Sequence, residues 1–137
     1  MTEALLLEAA GADERRLENM RERVRAGEPA AWVAGFLRFR GRRFASDPRA
    51  YITDPELTHL LDVVCEVGDG LQQQLDRPLR VLDFGTGAGT LAISVKLERP
   101  GWQLSGIDID PAALTLAAEN AALHSVSLSL CQSDQLS

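Results

Sequence analysis

The feature that most constrains the fold is a change of rhythm at Leu79. From there "LRVLDF", "TLAISVKLE", "WQLSGIDI", "PAALTLAAENAAL" and "VSLSLCQ" read as strand, helix, strand, helix, strand. Such alternation predicts a parallel sheet joined by helical crossovers, an α/β fold. Ahead of Leu79 the pattern differs. Leu17, Met20 and Val24 recur at helical spacing among Glu and Arg, which predicts an amphipathic helix over 13–26 closed by Gly27. "EPAAWVAGFL" opens a short helix with Pro29 near its first turn. "FLRFRGRRFASD" alternates apolar and basic residues around Gly41, predicting a β-hairpin over about residues 36–46. Thr53 and Glu56 have capping-box spacing ahead of a helix from about Pro55 to Leu75, with Gly68 or Gly70 as a candidate bend. The turn residues Asp76 to Pro78 then divide an N-terminal helical module, residues 1–75, from a partial α/β domain, residues 76–137.

Composition narrows the class. A chain of 137 residues with 45% hydrophobic content is about one globular domain. Its longest apolar runs, near Ala4–Leu7 and Leu60–Val67, fall well short of the ~18–20 residues of a membrane span. No basic segment precedes the first run, so the N-terminus does not read as a secretory signal and the cytoplasm is expected. Cys65 and Cys131 lie far apart with no CxxC or Cys/His cluster; both are expected as reduced core thiols, and no metal site is expected. His59 and His124 are assigned to helix surfaces. Ten of the 14 basic residues but only eight of the 20 acids fall in residues 1–50, leaving the remainder strongly acidic. The basic peak "RFRGRR", Arg38–Arg43, reads first as a solvated hairpin and second as a surface for an acidic partner or RNA.

The chemistry concentrates at "VLDFGTGAGT". A glycine-rich turn after the first strand of a doubly wound sheet is where nucleotide-like ligands sit, because glycines lacking Cβ atoms let a ligand approach the backbone. The spacing is G-x-G-x-G with Thr90 next, whereas the dinucleotide fingerprint is G-x-G-x-x-G/A; this disfavours a nicotinamide cofactor. Asp83 beneath the loop would repel a pyrophosphate and suits a ligand with positive charge. Asp108, at the end of the second strand, can accept hydrogen bonds from ribose hydroxyls. S-adenosylmethionine combines a ribose, an adenine, a sulfonium and an ammonium without phosphate, and fits this set best. Asp110, before Pro111, reads first as a helix N-cap and second as a ligand contact, and Asn120 first as a helix-surface residue and second as one packed near the site.

These residues resemble a known family, the HemK/PrmC-type glutamine-N5 methyltransferases that modify peptide release factors. "VLDFGTGAGTLAISV" resembles their cofactor motif, "GIDIDPAALTLAAENA" the next strand and helix, and "RAGEPAAWVAGFLRFRGRRFASDPRAYI" the link through their hairpin. The resemblance implies the first half (βαβαβ) of a Rossmann-like Class I methyltransferase sheet, binding S-adenosyl-L-methionine and leaving S-adenosyl-L-homocysteine. It implies that Gly85, Thr86, Gly87, Ala88 and Gly89 line the methionine end above Asp83, that Asp108 holds the ribose with Ile109 beside it, and that Asp134 and Gln135 approach the adenine. Two departures stand out. "ITDPEL" replaces the family's I-P-R-P-E-T-like stretch, so Asp54 stands where a basic residue is usual, and the N-P-P-Y motif that grips the target amide is absent from these residues. No catalytic residue is therefore assigned, and the chain alone is expected to transfer no methyl group. In the family's sheet order a fourth strand pairs with the first, so the strand at 79–84 is expected to present an open apolar edge: either these residues are a fragment of a longer enzyme, or a neighbouring chain covers the edge by self-association, or the fold is unstable alone. The rival reading is a non-catalytic binding module that uses the basic hairpin for a protein or RNA partner.

Overall fold

The computed structural model describes residues 2–134. Ahead of Leu79 lie α1 (Thr2–Ala10), α2 (Glu14–Arg25), α3 (Ala30–Ala34), the strands β1 (Phe36–Phe39) and β2 (Arg42–Ala45), and α4 (Leu57–Gln72). After it come β3 (Arg80–Phe84), α5 (Thr90–Glu98), β4 (Gln103–Asp108), α6 (Pro111–Leu123) and β5 (Ser129–Gln132). The last three strands pair in parallel in the order β3-β4-β5, as the alternation requires.

The sequence pattern did not mark α1, because its apolar residues form a run rather than a stripe. It folds against α2 and α3, burying Leu6, Ala10, Met20 and Val33 as a satellite cluster. Pro29 is the N-cap of α3 rather than a first-turn residue. In the hairpin, Phe39 pairs with Arg42, leaving a two-residue loop of Arg40 and Gly41, both at positive φ (54° and 74°). That is the backbone a tight hairpin demands, and Arg40 adopts it without glycine's freedom. Its guanidinium is held by Asp62 at 2.9 Å, Glu98 at 2.8 Å and the Thr58 hydroxyl at 3.0 Å. Arg38 and Arg43 pair with Glu8, and Arg43 also lies over the Phe36 ring. Much of the basic peak is thus matched by the chain's own acids. This favours the solvated hairpin over a nucleic-acid surface.

Phe39 and Phe44 of the hairpin share one core with Leu61 of α4, Ile93 of α5 and the Trp102–Leu104 segment leading into the sheet. The capping box expected at α4 does not form. The Thr53 hydroxyl donates to Thr90 Oγ1 at 2.8 Å, and Asp54 Oδ1 instead accepts from Glu56 N at 2.9 Å, so the helix starts at Leu57. α4 runs unbroken through Gly68 and Gly70. Gly68 is a packing position, since a Cβ there would lie within 2.8 Å of Trp102 Cζ3 and 3.0 Å of Leu79 Cδ2. Cys65 is buried as expected, and burial pushes its thiol pKa up. Cys131 is not a core thiol: β5 is an outer strand and leaves it exposed. Among the described residues β3 pairs only with β4, and Leu82 and Phe84 on it are exposed. None of the described helices is long and apolar enough to cross a membrane.

Candidate functional site

The glycine loop joins β3 to α5, and its spacing is explained by its backbone. Gly85, Gly87 and Gly89 have φ of 75°, 55° and 80°, a region in which any other residue is strained. At Gly85 and Gly87 a Cβ would meet open space, so there the requirement is conformational. At Gly89 it is also steric: a Cβ would lie 3.1 Å from Ala117 Cβ and 3.2 Å from Ile93 Cδ1. Gly85 N and Thr86 N both donate to Ile107 O at 2.9 Å, which folds the loop back over the end of β4.

Each side of the loop has its own fastening. The Thr86 hydroxyl donates to Asp83 Oδ2 at 2.9 Å, and Thr86 packs on Gly106, where a Cβ would come within 2.8 Å of Thr86 Oγ1. Asp108 Oδ2 accepts from Gly87 N at 2.9 Å, while its Oδ1 accepts from Asp110 N at 3.0 Å. Asp110 caps α6 by accepting from Ala112 N at 2.9 Å, as its place before Pro111 predicts. Burial drives the Asp83 carboxyl above its ordinary range, the Thr86 hydrogen bond pulls it down and the Asp108 charge pushes it up. A desolvated carboxylate of this kind is relieved by a cation.

The loop opens on a cleft of about 680 Å³, within the usual range for small-molecule sites. Gly85, Thr86, Gly87, Ala88, Asp108 and Ile109 line it. Asp83 and Gly89 support the loop from behind. Asp134 is exposed after β5 and is not part of the cleft wall, and Gln135 lies outside the described residues. The facing wall, absent from the sequence-derived set, is a strap over residues 48–54 that runs from the hairpin to α4, and Trp32 also lines the cleft. Thr53 fastens the strap to Thr90. Arg49 lies on it but is fully engaged, reaching Asp47 and forming a two-pronged pair with Glu119 at 2.9 and 2.7 Å. "ITDPEL" was the one signal for this wall.

Asn120 follows its second reading, packed near the site, and not the helix-surface one: it is completely buried, and all its amide hydrogens are used, since Oδ1 accepts from Ala45 N at 2.7 Å and Nδ2 donates to Ala45 O at 3.2 Å and Ala88 O at 2.9 Å. His124, at the end of α6, is also no idle surface residue; its Nε2 lies 2.7 Å from Arg43 O and its ring packs on Phe44.

A family model described as "Methyltransferase small domain" matches residues 67–137. Among curated proteins, the release factor glutamine methyltransferase of Lactococcus lactis is 35% identical over 120 residues, covering 88% of this chain and 42% of the relative. That of Neisseria gonorrhoeae is 38% identical, covering 78% and 37%. The ribosomal protein uL3 glutamine methyltransferase of Xanthomonas campestris is 38% identical, covering 88% and 38%. The chain thus spans well under half the length of these relatives. Among solved structures, a Pyrococcus abyssi tRNA (uracil-54, C5)-methyltransferase in complex with S-adenosyl-L-homocysteine superposes with a TM-score of 0.56 at 20% identity, covering 75% of this chain and 25% of that one. That likeness concerns the fold.

Proposed function

Because the chain belongs to the methyltransferase small domain family, we propose that it is the S-adenosylmethionine-binding part of a cytoplasmic protein methyltransferase acting on the side-chain amide of a glutamine, with a peptide release factor as the acceptor. The observation that carries the reading is the pairing of an open glycine loop with two differently placed carboxylates. Asp108 lines the cleft, whereas Asp83 sits desolvated behind the loop with no cation beside it among the described residues. A dinucleotide would bring a pyrophosphate toward this acidic end, so the site fits a cationic ligand better. The release factor assignment rests on the names of the relatives, one of which acts instead on a ribosomal protein.

When bound, the cofactor supplies an electrophilic methyl group on a sulfonium. The chain's own residues bind and orient it. Asp108 has one lone-pair site per oxygen left after holding Gly87 N and Asp110 N, enough to accept from a pair of hydroxyls. Gly85 and Gly87 leave the backbone bare toward the cleft, and the strap at 48–54 forms its facing wall. Catalysis in this scheme rests on positioning.

Isothermal calorimetry with S-adenosylhomocysteine tests the reading. Binding is expected, and Asp108→Ala should weaken it by about ten-fold or more, the worth of charge-assisted hydrogen bonds. Absence of binding, or tighter binding of NAD, would overturn the proposal. The same reading extends to the open edge of β3, where a second copy can add a strand; sedimentation that stays monomeric at all concentrations would count against it.

A further inference from the structure

We propose that Asn120 is a positioning residue for the cofactor loop, fastening that loop and the hairpin to one side chain so that the two are set as a unit. The inference rests on the cofactor reading above. Ala45 ends β2, and its N–H and C=O both pair with the Asn120 amide, as they would with a neighbouring strand. The remaining amide hydrogen goes to Ala88 O, one residue before the Gly89 N-cap of α5. Few side chains can do this. An aspartate has no hydrogens for the two carbonyls, a leucine of similar size would leave the two half-buried groups of Ala45 and the Ala88 carbonyl without this partner, and a glutamine is one methylene too long for the same pocket. The preceding residue repeats the fastening at the surface, where Glu119 holds Arg49 of the strap. α6 therefore grips the hairpin and strap on one side and the loop on the other. A shift of the hairpin is transmitted to Ala88, and ligand binding at the loop is transmitted to Ala45.

A purely structural role for Asn120 would change stability but not the ligand affinity of folded molecules. Two measurements separate the alternatives. In the unsubstituted protein, hydrogen exchange at the Ala45 amide should slow several-fold on saturation with S-adenosylhomocysteine, along with that of Gly87; a change confined to the loop would overturn the proposal. Asn120→Ser and Asn120→Ala, titrated at a temperature where circular dichroism shows them folded, should bind S-adenosylhomocysteine about five-fold more weakly or worse, as expected for a lost buried hydrogen bond. Leu61→Ala, a core substitution in α4, should lower the melting temperature yet leave affinity within about two-fold. Asn120 variants that bind within about two-fold of the parent would refute the inference. If they do not fold, the exchange experiment decides. Failure of the unsubstituted chain to bind at all removes the cofactor reading first, and this inference with it.

Discussion

Gly106→Ala asks the most of the loop geometry. An added Cβ would stand 2.8 Å from Thr86 Oγ1 and 2.9 Å from both Thr86 Cβ and Cγ2. Rotating the threonine cannot relieve the contact with its own Cβ, so the backbone at 86 must retreat by roughly 0.5 Å to restore ordinary van der Waals separation. The retreat strains Thr86 N to Ile107 O and Thr86 Oγ1 to Asp83 Oδ2, each 2.9 Å. Overpacking costs about 1–3 kcal/mol and a weakened hydrogen bond about 1 kcal/mol. A total of about 2–4 kcal/mol corresponds to a melting temperature lower by roughly 7–14 °C for a chain of this size. Urea denaturation followed by circular dichroism measures the loss, and calorimetry should show weaker S-adenosylhomocysteine binding because Thr86 and Gly87 line the cleft. Thr86→Ala removes two of the three contacting atoms, so the double variant should recover about 1 kcal/mol relative to additivity. Gly101→Ala, where a Cβ meets nothing within 4 Å, is the control and should be neutral or slightly stabilising. A loss below about 0.5 kcal/mol for Gly106→Ala, or strict additivity with Thr86→Ala, would refute the reasoning.

Two glycines in α4 should respond oppositely to alanine. Gly70→Ala meets open space and should stabilise by about 1 kcal/mol through helix propensity, whereas Gly68→Ala drives a Cβ into the Trp102 ring and should destabilise by about 2 kcal/mol or more, with a change in tryptophan fluorescence. Asp83 has a raised folded pKa, so the native state holds its proton to higher pH than the unfolded chain, and stability is lost as pH rises through that range. Asp83→Asn should therefore stabilise the ligand-free protein near pH 7 but not near pH 3, and should weaken S-adenosylmethionine more than the neutral-sulfur S-adenosylhomocysteine; equal weakening of both would argue against a cation-binding role. Polar replacement of the exposed Leu82 and Phe84 should change association in sedimentation while leaving S-adenosylhomocysteine affinity within about two-fold.

Periodicity made much of the fold legible. The strand and helix alternation after Leu79 carries its own register, and Asp110-Pro111 announces the start of α6 from local chemistry alone. The loop was legible because three alternating glycines answer one demand, positive φ at 85, 87 and 89. Other features depend on distant partners. Thr53 had the spacing of a cap, yet its hydroxyl is taken by Thr90, 37 residues away in sequence. Asn120 reads as an ordinary polar helix residue until β2 and Ala88 arrive on either side of it. Gly106 looks like a weak point in a strand, and only the folded loop shows that Thr86 needs the space. The strap had no periodicity to read, since its backbone takes its shape from what it spans.

The fastenings of the loop share a property that bears on how the site works. Asp83 and Gly106 hold Thr86 from the sheet, Asp108 holds Gly87 from the end of β4, Asn120 holds Ala88 from α6, and the strap reaches Thr90 through Thr53. One of these contacts, from Asp83, comes from β3 itself, between the exposed Leu82 and Phe84. The other fastenings come from β4, α6 and the strap. Preorganisation of the loop thus draws together β3, β4, α6 and the strap. In this arrangement the hairpin and the loop, joined at Asn120, do not vary independently.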